Sequence, residues 1–423
     1  MTRPRAVVVA TGSELVRGDR SDRNGPFLAR EALLLGFEPA RIMIVGDRED
    51  ELEAALRDAL QADLVLISGG LGPTHDDRTI ELLARVAGRP LRLDEALHEE
   101  IGAISRQIAE RYGRRAADFE PGVRKQATLP EGALSLGLAG TAPGVVLEVD
   151  GAVVVALPGP PSELQRLWPR AVETEALRRL IARARPPRHE VLRLYGVSES
   201  VVARALADSG GDGDGVEATI CARDLEVNVD LFANETAAPR AAELSAAMEQ
   251  RLRQFVFSSD ERPVEELVLA LCRALGLTLG VAESCTGGLV AARLTGIPGA
   301  SDVFRGGVVA YGNEVKAGEL RIRADMLERY GAVSAETAAA MADGARAALG
   351  VDVAASVTGI AGPDGGTPDK PVGLVFVHAA GPDGSEAVEL RLGGDRETVR
   401  RRATVAALHL LRRLLSQDRH KDV

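Results

Sequence analysis

Short apolar runs alternate with stretches of helical period through the first part of the chain. Residues 6–10, 41–45 and 64–67 read as buried strands. Residues 26–35, closed by Gly36, and residues 49–60 read as helices. Strands that are apolar throughout, separated by helices, predict a parallel sheet covered on both faces. Ligands of such sheets collect at the C-terminal ends of the strands. Two loops fall there: Thr11-Gly12-Ser13-Glu14, and the glycine-rich run from Ser68 to Asp77.

The texture changes near Pro169. Residues 191–233 read as strand, helix, strand, strand, interrupted by an acidic glycine-rich turn from Ser209 to Gly215. Residues 242–255 carry Leu244, Met248 and Leu252 on one stripe and predict an amphipathic helix. A short link leads to a further helix that ends at Gly276. Strand-like runs follow at 277–282, 303–311, 353–358 and 372–379, then a last helix at 395–415. The expected class is α/β with three domains, 1–170, 171–257 and 258–423, the middle one a small α+β unit.

Composition adds limits. A length of 423 residues suits two or three domains. With 45% hydrophobic and only 3% aromatic residues, the cores must be built from Ala, Val, Leu and Ile. The abundance of Ala and Arg, with few Lys, reads as a genomic bias without functional weight. A net charge of −11 disfavours attraction to nucleic acid or anionic membranes. Cys221, Cys272 and Cys285 have neither disulfide-framework nor zinc-ligand spacing. No signal peptide and no run of membrane-spanning length is apparent, so the cytoplasm is the expected location.

The densest chemistry is Glu283-Ser284-Cys285-Thr286-Gly287-Gly288, a tight turn between an apolar strand and a helical stretch. A serine there stands clear of the sheet, where the next helix is expected to present unpaired N–H groups. It is a nucleophile or, more plainly, a helix cap. Lys316 is the nearest base in sequence, and Tyr311 sits where its hydroxyl could steer the lysine proton. No histidine is close: His378 lies in a strand, and His409 and His420 lie in the tail. A Ser–Lys pair is therefore favoured over Ser–His–Asp. Cys285 is the rival nucleophile, or a buried inert thiol. The loop from Thr358 to Thr367 again follows a strand and is rich in glycine, either a ligand cradle or a flexible turn.

These motifs, with Tyr311-x-Asn313-Glu314-x-Lys316, Gly331-Ala332-Val333-Ser334 and Lys370-Pro371-Val372-Gly373, resemble the C-terminal domain of the CinA family. That domain is similar to the stand-alone nicotinamide mononucleotide (NMN) deamidase. The resemblance implies hydrolysis of NMN to nicotinate mononucleotide and ammonia, in pyridine nucleotide salvage and without a cofactor. It makes Ser284 the nucleophile, Lys316 the base and then the acid, and Tyr311 a residue that tunes Lys316. Thr286, Gly287 and Gly288 or a nearby amide would hold the oxyanion. Thr358, Gly359, Gly362, Gly365 and Gly366 would hold the ribose phosphate.

The first domain has its own constellation. A glycine-rich loop with Gly69, Gly70, Gly72, Asp76 and Asp77 stands beside Gly12-Ser13-Glu14 and Gly140-Thr141-Ala142-Pro143-Gly144, with Leu157 to Leu164. Such a loop can cradle phosphate while adjacent acids place a hard cation; Asp76 could instead merely cap a helix. This set resembles the molybdopterin-binding (MoaB/MogA-like) three-layer α/β fold as it occurs at the N-terminus of CinA. The resemblance implies a metal-dependent ADP-ribose pyrophosphatase. Gly12, Ser13, Glu14, Asn24, Gly69, Gly70, Gly72, Thr141, Pro143 and Gly144 would hold ADP-ribose, and Asp76, Asp77, Asp47 and Glu163 a divalent metal such as Mg²⁺. Gly18 to Asn24 departs from the family's usual Gly-Gln-Ile-Val-Asn-Thr-Asn and is more charged. The middle unit resembles the KH-like module of CinA proteins; its acidic Gly210 to Gly215 turn favours a spacer or dimerisation role over RNA binding. The expected assembly is a homodimer that binds small nucleotides and no membrane. Two alternatives stand beside this reading: a non-enzymatic adaptor in competence or recombination, and a deamidase with a vestigial nucleotide-binding first domain.

Overall fold

The computed structural model describes residues 3–416; His420 and the outermost ends of the first and last expected domains lie outside them. The chain divides into two compact units, the first ending at Arg188 and the second beginning at His189.

The first unit is built on strands β1 (Arg5–Thr11), β2 (Glu38–Val45), β3 (Leu64–Ser68), β4 (Leu91–Leu93), β5 (Thr128–Pro130), β6 (Leu134–Leu138), β7 (Pro143–Val149) and β8 (Ala152–Leu157). Six form one sheet in the order β2-β1-β3-β8-β7-β6, while β4 and β5 pair separately. The four strands β2, β1, β3 and β8 are parallel, as their all-apolar runs predict. The expectation of a wholly parallel sheet fails at β6 and β7, which are antiparallel. The cause is a two-residue hairpin: Val149 pairs with Ala152 across Asp150 and Gly151, which take φ of 47° and 91°. An Asp-Gly pair between apolar runs has that turn preference. Apolar residues on the two faces of the sheet form separate cores. The expected boundary at residue 170 falls inside a helix, Pro161–Val172; the next helix, Glu175–Ile181, still buries Leu177 and Leu180 in this unit.

The second unit holds the remaining two expected domains together. Its smaller sheet comprises β9 (Arg188–Tyr195), β10 (Val216–Arg223), β11 (Glu226–Ala233) and β12 (Val256–Ser258), in the order β10-β11-β9-β12. Helix Ala238–Leu252 buries Leu244, Met248 and Leu252 as the stripe predicts. The acidic turn is tied down by Arg240, whose guanidinium donates to the carbonyls of Gly210, Gly211 and Gly213. The larger sheet comprises β13 (Leu279–Glu283), β14 (Phe304–Val309), β15 (Val353–Gly359), β16 (Leu374–Gly381) and β17 (Gly384–Arg391), in the order β14-β13-β15-β16-β17. The strands β14, β13 and β15 are parallel, so their C-terminal ends open on one edge. Helix Arg396–Leu415 crosses this sheet and carries His409 into the smaller one. There the imidazole stacks on Tyr195 at 3.8 Å, and its Nε2 meets Glu226 at 2.7 Å. Arg401 on the same helix pairs with Asp224.

Candidate active site

At the end of β13 the Ser284 N–H still donates to the Val357 carbonyl of β15, at 2.9 Å, so the serine leaves the sheet in a fixed direction. Lys316 arrives from helix Asn313–Gly318, just beyond β14. It is only 1% exposed. Its Nζ lies 3.1 Å from Ser284 Oγ, 2.7 Å from the Ala310 carbonyl and 3.2 Å from the Tyr311 carbonyl. A neutral amine has two N–H donors and one lone pair. The two carbonyls use the donors and leave the lone pair for the serine hydroxyl. Burial pushes the Lys316 pKa below its ordinary value, with Cys285 and Glu314 pulling weakly the other way.

Tyr311 does not supply the proton-steering contact expected of its hydroxyl. The phenol points outward, is 59% exposed, and accepts from Arg396 at 2.7 Å. Only its main-chain carbonyl meets Lys316. Cys285 turns into the core, and burial pushes its thiol up to about 12, which leaves almost no thiolate at neutral pH.

The turn is held from both sides. Glu283, 1% exposed, accepts from the N–H groups of Gly288 at 2.9 Å, Val290 at 3.1 Å and Ala291 at 2.8 Å. Arg400 donates to the carbonyls of Cys285 at 3.1 Å and Thr286 at 2.8 Å. Glu283 is thus the cap of the following helix, and Ser284 is not. The expected free N–H groups at that helix are taken, and Gly287 N–H is spent on the Ser284 carbonyl. Gly287 and Gly288 serve the turn by their positive φ of 58° and 97°.

The loop after β15 behaves differently from a simple phosphate cradle. The Thr358 hydroxyl is buried and donates to the Ala332 carbonyl at 2.6 Å. Gly359, Gly362 and Gly366 are needed because residues 371–375 pass so close that a Cβ at any of them would collide. Gly365 takes a φ of 87°. A cation at this loop is Arg396, which donates to the Gly362 carbonyl at 2.7 Å while it holds Tyr311.

In the first unit a cavity of about 880 Å³ gathers Gly12, Glu14, Asn24, Gly69, Gly70, Gly72 and Thr141 with Asp47, Asp76, Asp77 and Glu163. Pro143 lines a smaller adjoining pocket that shares Gly70, Gly72 and Asp77 with the cavity, and Gly144 packs against Leu136 and Leu157. Asn24 is buried and donates to Ser68 Oγ and to the Gly159 carbonyl, tying the divergent segment to the sheet. Gly69 has φ 104°, and its missing side chain leaves room beside Thr11, whose buried hydroxyl has no hydrogen-bond partner among the described residues.

The four acids do not form one ligand set. Ser13 donates to Asp47 through both its N–H and its hydroxyl, which makes Asp47 and Ser13 a loop tie. Glu163 is half-buried beside Gly140 on the cavity wall, and desolvation raises its pKa. Asp76 and Asp77 both accept from the Thr74 hydroxyl and line the cavity; neither caps the helix Thr79–Val86. Two carboxylates with substrate phosphate oxygens suit Mg²⁺ better than a closed cage does. Among the described residues, the cluster with three-ligand spacing is instead His189, Asp230 and Glu261. There Arg193 donates to both Asp230 oxygens, which makes it an ion-pair network.

Comparison with known proteins agrees with this two-part layout. Residues 261–415 match the family model of the CinA C-terminal domain, and residues 7–179 that of a probable molybdopterin binding domain. A CinA-like protein of Mycolicibacterium paratuberculosis is 44% identical over 430 residues, 97% of this chain and 98% of the relative. The chain belongs to the CinA family. A CinA-like protein of Mycobacterium tuberculosis strain H37Rv is 43% identical over 422 residues, 97% of each chain. The competence/damage inducible protein CihA of Agrobacterium tumefaciens is 40% identical, with a TM-score of 0.34; the match covers 37% of this chain and 97% of that one. Among the described residues of this CinA-family chain, no helix is long and apolar enough to cross a membrane.

Three residues of the site were missed from the sequence. Glu283 reads from sequence as part of a turn, and the available signal is a carboxylate shortly before a helix start, where negative charge is favoured. Arg396 and Arg400 belong to the last, arginine-rich helix, where no local pattern ties them to residues 311 or 285.

Proposed function

We propose that the second unit hydrolyses NMN to nicotinate mononucleotide and ammonia through a Ser284–Lys316 pair. The observation that carries this reading is the 3.1 Å approach of a buried, doubly carbonyl-bound Lys316 Nζ to Ser284 Oγ. Lys316 takes the hydroxyl proton as Ser284 Oγ bonds to the carboxamide carbon. The negative oxygen that forms is received by main-chain N–H groups of the turn. As the C–N bond breaks, Lys316 returns the proton to the departing ammonia. A water molecule then gives its proton to Lys316 and attacks the ester, and the proton returns to Ser284 Oγ as nicotinate mononucleotide leaves. Arg396 supplies a cation at the mouth for the ribose phosphate, with Tyr311 presenting a ring beside it.

The first unit is read as a site for ADP-ribose in the cavity at Gly69 and Gly70, with cleavage to AMP and ribose 5-phosphate. Asp76 and Asp77 would hold the divalent ion, which would neutralise the diphosphate when bound. The test of both readings is one set of assays on the purified chain with NMN and with ADP-ribose, with and without EDTA. NMN hydrolysis indifferent to EDTA and ADP-ribose hydrolysis abolished by it are the expected results. Failure to release ammonia from NMN overturns the first reading, and metal-independent cleavage of ADP-ribose overturns the second.

A further inference from the structure

Glu283 has no part in the chemistry just described, yet its carboxylate is buried and fully engaged one residue before the nucleophile. A carboxylate this deep in a protein persists only where donors surround it. Here the donors are the N–H groups of Gly288, Val290 and Ala291, and they are consumed by the contact. Two consequences follow. The positive end of the helix Leu289–Thr295 is neutralised from inside, so it is not the place for the substrate's phosphate. The donors left at the turn are then few: Gly287 N–H is used by Ser284, and among the described residues no backbone carbonyl takes the N–H groups of Cys285 and Thr286, which face the weakly accepting Cys285 sulfur. Arg400 holds the carbonyls of those same two residues, which fixes the plane that carries the Thr286 N–H; the plane that carries the Cys285 N–H is fixed by its Ser284 carbonyl, which accepts from Gly287 N–H.

We propose that Glu283 is a positioning residue of the deamidase site. By anchoring the turn through residues 288–291, it directs the Cys285 and Thr286 N–H groups at the oxygen of the tetrahedral intermediate and keeps anions away from the helix end. This rests on the Ser284–Lys316 reading given above. It predicts a defect confined to the transition state, because the recorded partners of the Glu283 carboxylate are main-chain N–H groups and not Lys316.

The test compares wild type with Glu283→Gln, using NMN as substrate and pyridine-3-boronic acid as a probe that forms a tetrahedral anion on a serine oxygen. Glutamine keeps the shape but replaces one accepting oxygen with a donor facing N–H groups. Removing an oxyanion donor outright costs about 100- to 1,000-fold in kcat. Misaiming two donors is expected to cost about 10- to 100-fold in kcat and a similar factor in boronate affinity, with KM for NMN changed less than about threefold. Boronate titration counts intact sites, which separates this from partial unfolding. Should Glu283→Gln fail to fold, Arg400→Gln loosens the same turn from its carbonyl side and should give the same signature. Wild-type kcat and boronate affinity in the folded variant overturn the proposal. So does a fall in kcat with unchanged boronate affinity. A wild-type protein that leaves NMN intact overturns the substrate reading instead; the boronate comparison still tests Glu283, since it needs only Ser284.

Discussion

Replacing Lys316 by methionine removes the charge and keeps the bulk. In the site the amine has two jobs, taking the proton of Ser284 and returning it to ammonia. General acid–base participation contributes about 100- to 10,000-fold per step. Because both steps pass through one nitrogen 3.1 Å from the serine, kcat/KM for NMN is expected to fall about 10,000-fold, equivalent to about 5.5 kcal/mol of barrier. The pair acts as a unit, so Ser284→Ala combined with Lys316→Met should be no slower than either alone. Stability gives a second reading. The variant leaves the carbonyl of fully buried Ala310 without its donor, a cost of about 1–3 kcal/mol. Against that, it removes an amine that is costly to bury when charged. The folded pKa of Lys316 lies below the ordinary 10.5, so between those two values the unfolded chain binds the extra proton. Wild-type stability therefore rises with pH through that window and is lowest below it. The variant lacks this dependence, so its stability relative to wild type should be best at low pH and decline as pH rises. Ammonia release and urea melts from pH 6 upward measure both. Activity within tenfold of wild type, or losses that multiply in the double variant, would refute the shared role.

Other outcomes follow from the same contacts. Cys285→Ala should keep NMN turnover within a few-fold, because a thiol held near 12 supplies no nucleophile; loss of ammonia release would move the chemistry to sulfur. Gly69→Ala forces a side chain onto φ 104° and into the Thr11 carbonyl, 2.6 Å away. It should destabilise the first unit by about 1–3 kcal/mol and abolish ADP-ribose binding by calorimetry. Burial lowers the pKa of His409, so the unfolded chain binds more protons once pH falls below about 6.5. Stability of the second unit is present above that value and lost as pH drops, and His409→Phe should flatten this acid limb in melting experiments.

Much of the fold was legible because buried parallel strands leave uninterrupted apolar runs: β1, β3, β13 and β15 were each read from one. Their shared geometry also placed the loops that carry Ser284 and Gly69 at strand ends. What was lost has particular causes. The antiparallel end of the first sheet turns on the Asp150-Gly151 hairpin, a two-residue signal easily passed over inside a long apolar stretch. Strand β17 lies at a sheet edge, where only one face is partly covered, by Val388 and Leu390, and its polar sequence resembles a loop. Lys316 was found from residue type and proximity in sequence. The direction of the Tyr311 side chain was not, because it is set by Arg396, 85 residues away. The acids of the first unit show the same limit: sequence places Asp47 and Glu163 near the cavity but cannot say that Ser13 already engages Asp47.

The most direct test of the Ser–Lys account is mass spectrometry of the protein acid-quenched during turnover of NMN. The account predicts a transient ester on the peptide bearing Ser284, absent in Ser284→Ala, which also releases no ammonia. Turnover of NMN by Ser284→Ala, or an adduct mapped to Cys285, would contradict it.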